Sequence, residues 1–168
     1  MKENVQYAIN DQIQAEYESA YIYLAMSAYM ESLNLSGFAN WLRIQWQEET
    51  LHAMKLYDFL LRRGGRVELR SIPAPPSDYG SPMDLFQKVL EHEQYITQRI
   101  HRLYSLAVQE KDYALQTLLH WYIDEQVEEE DNASQIIEKL KMLGNSGPNL
   151  YLLDSELKQR KLETQANA

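Results

Sequence analysis

Glu49 and His52 stand three residues apart in the segment QWQEETLHAM (45–54), on the face that also carries Phe38, Leu42, Gln45, Leu56 and Phe59. Positions stepping by three and four share one side of an α-helix. A carboxylate and an imidazole are therefore turned the same way as the leucines. Three other segments repeat the arrangement. Glu16 falls on a stripe with Ile9, Ile13, Ala20, Tyr23 and Ser27, and Glu93 on one with Leu85, Val89, Ile96, Ile100, Leu103 and Ala107. Glu125 and Glu129 fall on a stripe with Leu115, Leu118, Tyr122, Ile136, Leu140 and Leu143. Burying an unpaired carboxylate is costly, and four at one depth would repel one another. A pair of bound divalent cations is the simplest compensation. Carboxylate oxygens with one or two imidazoles suit iron or manganese, and zinc can also bind.

Each residue alone has a plainer reading. A single Glu on a helix usually faces water, a His beside an acid is usually a hydrogen-bonded pair, and the run EEED (128–131) reads as partly exposed. Tyr23, one of 12 tyrosines, reads as a core tyrosine, or as a hydroxyl that orients a ligand carboxylate. Trp121 reads as packing and the six methionines as core filler. The coincidence of four acids on four inward stripes, joined by one Glu-x-x-His, favours metal.

Those stripes need long helices to carry them. The first pattern covers residues 3–32. Ser36 is a plausible cap for a second helix that stops at Gly64-Gly65. The segment RVELRSIPAPPSDYG carries prolines at 73, 75 and 76, which exclude a helix and leave an extended crossover. SPMD (81–84) opens the third helix, with Ser81 as cap and Pro82 at its first position. Asp112 caps a fourth helix that ends at Gly144. The expected architecture is all-α: one domain over residues 1–168, with a four-helix bundle over 3–143. A long crossover joins helices two and three, a short fifth helix covers 149–159, and a frayed polar tail covers 160–168.

Composition narrows the function. The formal net charge of −9 argues against nucleic acid, which needs clustered Lys and Arg, and favours cationic partners. No run of about 18 apolar residues offers a membrane span, and MKENVQYAIN lacks the apolar stretch of a secretory signal. Cysteine is absent, so there is neither a disulfide framework nor a thiolate metal site, which suits a reducing cytoplasm.

From NDQIQAEYESAYIYLAMSAY through FANWL, EETLHA, RGGRVEL, LEHEQYIT and WYIDEQVEEE to GPNLYLLDSEL, the chain resembles the non-haem ferritins of bacteria and archaea. The resemblance implies iron storage and detoxification. A ferritin-like bundle would oxidise Fe(II) to Fe(III) at a di-iron ferroxidase centre, with oxygen or hydrogen peroxide as oxidant. Ferric mineral would collect inside a homo-oligomeric shell of twenty-four subunits with octahedral symmetry. By residue matching, Glu16, Glu49 and His52 hold the first iron, and Glu49, Glu93 and Glu129 the second, with Glu49 bridging. Gln126 and Tyr23 lie beside the centre. A third iron matches Glu48, Glu125, Glu128 and the shared Glu129. Bacterioferritins carry a second Glu-x-x-His and a haem-ligating Met; here Glu129 and Thr50 stand in those places, so no haem is expected. The acids that line animal three-fold pores are replaced by Gln116 and Leu119, so that route in is not carried over.

Two relatives of different habit compete with this reading. Rubrerythrin-like oxidases commonly append a cysteine-rich iron domain, and this chain has no cysteine. DNA-protecting mini-ferritins place their ligands between subunits and lack a fifth helix. A helical scaffold without metal would leave the inward acids unexplained.

Overall fold

The structure, a computed structural model, describes residues 1–144 and 146–163. Among the described residues it is built from five helices: α1 (Glu3–Ser32), α2 (Ser36–Arg62), α3 (Pro82–Gln109), α4 (Tyr113–Leu143) and α5 (Gly147–Leu157). α1 packs along α2 and α3 along α4, α1 also meets α3, and α5 lies against α2 and α4. The architecture is the expected all-α bundle with a long crossover and a short final helix. Among the described residues no helix is long and apolar enough to cross a membrane.

Local chemistry sets the ends. Asn34 takes a positive φ of 60° in the turn between α1 and α2, a conformation Asn tolerates better than most residues. Ser36 does not cap α2, contrary to expectation. It is the first helical residue, and no cap side chain of its own segment bonds there. The cap comes from α5: Asp154 Oδ1 accepts from the backbone N–H of Gly37 at 2.8 Å and of Phe38 at 3.0 Å. A Cβ at position 37 would lie 1.6 Å from the Asp154 carbonyl oxygen, so only glycine permits this approach. Ser81 caps α3 as expected, in a reciprocal capping box with Asp84, and Asp112 caps α4 by accepting from Leu115 N–H at 3.1 Å. Asp112 also binds Arg63 through two bonds of 2.8 and 3.1 Å, which joins the end of α2 to the start of α4.

The crossover is held along α1 by amide side chains. Asn10 bonds both Arg66 O and Glu68 N–H, Gln6 accepts from Arg66 N–H, and Gln14 donates to Ser71 O. The last helix starts at Gly147 rather than 149 and ends at Leu157, because Pro148 fits its first turn. The segment after it was expected to fray from residue 160. Instead the side chain of Arg160 is bonded into the bundle; residues 164–168 of that expectation lie outside the described residues.

The apolar core has two parts. One gathers Tyr23, Met30, Phe38, Leu42, Phe86 and Ile136 among others; the second gathers Ile9, Ile13, Leu56, Ile100, Leu115 and Tyr122. Between them lies a belt of buried polar side chains. The inward stripes of α1, α2 and α3 are buried as expected. On α4 the register differs. Leu119 and Gln126 face inward, whereas Leu118, Glu125 and Leu143 are half-buried at its edge.

Candidate metal centre

The belt holds Glu16 and Tyr23 from α1, Gln45, Glu49 and His52 from α2, Glu93 from α3, and Gln126 and Glu129 from α4, all buried. Ligand atoms of Glu16, Glu49 and His52 lie within 4.8 Å of one another, and so do those of His52, Glu125 and Glu129. His52 joins the two groups. Its Nδ1 is 3.3 Å from Glu49 Oε2 and its Nε2 is 3.7 Å from Glu125 Oε1. Its ring stacks edge-on against Trp121, and its backbone carbonyl accepts from the Tyr122 hydroxyl at 2.6 Å.

Glutamine amides aim the acids. Gln12 donates to Glu16 at 2.7 Å, while its own oxygen accepts from Arg99 at 3.2 Å. Gln45 donates to Glu129 at 2.6 Å and more weakly to Glu49 at 3.4 Å. Gln126 donates to Glu93 at 3.2 Å. The Tyr23 hydroxyl donates to the other oxygen of Glu93. Among the described acids of the belt, one buried oxygen is left over: Glu16 Oε2 has no hydrogen-bond partner. A buried acceptor without a donor is costly, and Glu16 is one of the three residues whose ligand atoms converge with those of Glu49 and His52.

Burial pushes the carboxyls of Glu49, Glu93 and Glu129 up to about 8. For Glu93 the Glu49 charge adds to the rise, and for Glu129 the Glu93 charge does. Burial works against the charged form of His52, but Glu49 and Glu125 outweigh it and raise the imidazole well above its ordinary value. Near neutral pH a divalent cation at these acids would have to compete with protons, and its charge would offset their mutual repulsion.

The remaining sequence-derived candidates are spread around this core. Glu93 belongs to neither ligand group; Tyr23 and Gln126 hold it. Glu125 is half-buried and reaches His52, and Glu128 is exposed. Glu48 is paired with Arg160 at 2.6 Å. Its carboxyl is raised by burial, with Arg160 acting in the opposite direction. A cavity of about 620 Å³ opens beside the centre, lined by Glu48, His52, Glu125, Glu128, Glu129 and Arg160. Gln12, Gln45, Arg160 and Thr97, whose hydroxyl accepts from the Gln126 amide at 3.2 Å, do not stand out in the sequence as site residues. Gln12 and Gln45 did carry a signal, since each precedes a candidate acid by one helical turn of four residues.

Known proteins resemble this chain along nearly its whole length. The family model described as a ferritin-like domain matches residues 6–143. A bacterial non-haem ferritin of Bacteroides fragilis is 41% identical over 160 residues, covering 95% of this chain and 99% of the relative. One from Staphylococcus aureus is 39% identical over 160 residues, covering 95% and 96%. Among solved structures, an open-pore ferritin of the hyperthermophilic archaeon Archaeoglobus fulgidus superposes with a TM-score of 0.95 at 50% identity, covering 96% of this chain and 99% of that one. A humanized archaeal ferritin superposes with a TM-score of 0.96 at 48% identity, covering 98% and 99%. With a buried belt of carboxylates in the middle of a long-crossover bundle and relatives along nearly its whole length, the chain belongs to the ferritin family, in its non-haem prokaryotic branch.

Proposed function

We propose that this chain stores iron by oxidising Fe(II) at the buried belt and passing Fe(III) into the interior of a shell of twenty-four copies. The observation that carries the reading is the triad of Glu16, Glu49 and His52, whose ligand atoms converge while Glu16 Oε2 has no other partner. Glu16, Glu49 and His52 would bind one Fe(II) as substrate. Glu49, Glu93 and Glu129 would bind a second, with Glu49 shared between them. Each Fe(II) gives up one electron. Two electrons and two protons convert dioxygen to hydrogen peroxide, or hydrogen peroxide to water. A ligand set of carboxylate oxygens with a single imidazole nitrogen favours Fe(III) over Fe(II), because the more highly charged ion gains more from hard anionic donors.

Tyr23 and Gln126 would hold Glu93 in place until a cation takes it. The half-buried Glu125 and exposed Glu128 line the cavity beside the belt and would serve product on its way out, together with Glu48 and Glu129. The cytoplasm is the compartment that fits a cysteine-free chain with this task.

The decisive experiment is aerobic Fe(II) loading followed by size exclusion, with iron counted per chain. Storage predicts far more iron than the ligand groups can hold, eluting with a very large assembly. Two or three irons per chain on a small oligomer would identify a di-iron oxidase instead. Absence of both iron retention and oxygen consumption would remove the catalytic reading and leave the family assignment standing.

A further inference from the structure

The chain that follows α5 does not leave the bundle. Asn40 Nδ2 on α2 donates to the carbonyls of Leu157, Lys158 and Arg160 at 3.3, 3.3 and 3.1 Å, which fixes a segment that forms part of the cavity wall. The Arg160 guanidinium turns inward over the Trp41 ring, 4.2 Å from its centroid. Its Nη1 donates to Trp41 O at 3.0 Å, and its Nη2 to Gln45 Oε1 at 3.0 Å and Glu48 Oε2 at 2.6 Å. Both side chains of the Arg160–Glu48 pair are mostly buried, at 18% and 17% exposure.

Two consequences follow from these contacts. The guanidinium has only donors, so it can meet only the oxygen of the Gln45 amide. The NH2 end of that amide is thereby directed at Glu129. Glu48, meanwhile, already carries a cation. A divalent ion approaching Glu48 meets a fixed positive charge at close range, in a half-shielded setting where such repulsion is larger than in bulk water.

We propose that Arg160 is a positioning residue that orders cation occupancy: its guanidinium holds Glu48 as a resident cation, so the two belt positions fill before any cation binds at Glu48. This rests on the metal-binding reading of the belt given above. Filling the outer position requires Arg160 to withdraw from Glu48, and the cavity beside it gives the side chain room to do so.

The test is anaerobic titration with Zn(II), which undergoes no redox chemistry, with the number and affinity of ions per chain read by calorimetry and equilibrium dialysis. Wild type is expected to bind two ions tightly and a further ion weakly. Arg160→Gln should strengthen the weak step by about tenfold, the size expected when one nearby like charge is removed. Glu48→Gln should abolish the weak step in both backgrounds. Arg160→Lys keeps the charge and should leave it weak. Lys161→Gln removes a cation from the same cavity wall without touching Glu48, and should change the weak step less than Arg160→Gln. A general structural role for Arg160 predicts the opposite sign, with every step weakened. An unchanged or weakened outer step in Arg160→Gln, or an equal gain in Lys161→Gln, overturns the proposal while the two tight ions keep the belt reading intact. If wild type and Glu49→Ala bind Zn(II) alike, the belt reading itself fails and takes this one with it. A second measurement needs only the wild type: a crystal structure at saturating Zn(II). It should show Arg160 displaced from Glu48 wherever an outer ion is bound, and an outer ion with the Arg160–Glu48 pair intact is the contrary result.

Discussion

Glu49 has Gln45 and His52 beside it on α2 and feels the charges of Glu16 and Glu129 on the neighbouring helices, so its removal should be felt at both proposed iron positions. Glu49→Ala is expected to abolish fast Fe(II) oxidation in stopped-flow absorbance while size exclusion still reports the large assembly; wild-type rates in that variant would exclude the assigned centre. Tyr23→Phe loses only the hydroxyl that holds Glu93. It should keep the binding stoichiometry and lower the affinity of the position Glu93 serves by roughly 10–100-fold, the usual range for a group that orients a ligand. A second Zn(II) step identical to wild type in calorimetry would assign Tyr23 to packing. The raised carboxyls give a pH dependence with a definite sign. Unfolded, Glu49, Glu93 and Glu129 titrate near 4.5; folded, they titrate at about 8. Between those values the folded protein holds more protons, so their contribution to stability is complete below 4.5 and is lost as pH rises through 8. Metal-free protein should therefore melt at progressively lower temperature across that window, with saturating Zn(II) reversing the trend. A metal-free melting temperature that rises from pH 5 to 8 would contradict these shifts.

At the scale of the element, α2 depends on α5 for its cap. Asp154→Ala should cost about 1–3 kcal/mol in denaturant unfolding, because two buried N–H groups lose their acceptor. Gly37→Ala should be at least as damaging, since its methyl has nowhere to go. Periodicity carried much of this architecture. Ile9, Leu42, Val89 and Leu115 faced inward as their spacing required, and Glu16, Glu49, His52 and Glu93 were legible because each interrupts an apolar stripe. α4 was harder to read. Its sequence IDEQVEEED places acids around most of the helix, so the pattern itself does not distinguish Glu125 at the edge from Gln126 inside. Neighbouring helices settle that register by taking Leu119, Gln126 and Ala133 into the core. Ser36 misled for a related reason: a serine at a helix start is a sound local signal, but here a carboxylate 118 residues away in sequence supplies the bond, and no local pattern announces it.

Across the whole molecule, the contacts hardest to foresee join distant parts of the chain. Arg160 looked like part of a polar tail because its partners, Trp41, Gln45 and Glu48, are more than a hundred residues away. The division of the bundle into an α1–α2 hairpin and an α3–α4 hairpin, joined by the crossover, has a bearing on how the chain assembles. Each hairpin closes over a short turn and has mostly local contacts, a condition that favours rapid formation. Glu16, Glu49 and His52 belong to one hairpin, Glu93, Gln126 and Glu129 to the other. The belt therefore does not exist until the hairpins dock, and docking brings together acids that resist one another. A cation held by Glu49 and Glu129, as proposed, would span that seam and would have to be released before the hairpins could part. Saturating Zn(II) should consequently slow unfolding more than it speeds refolding in stopped-flow denaturant jumps, and equal acceleration of refolding would mean the belt is already assembled at the rate-limiting barrier. The seam would then be a kinetic lock: an ion bound there as cargo would also set how long the subunit stays folded.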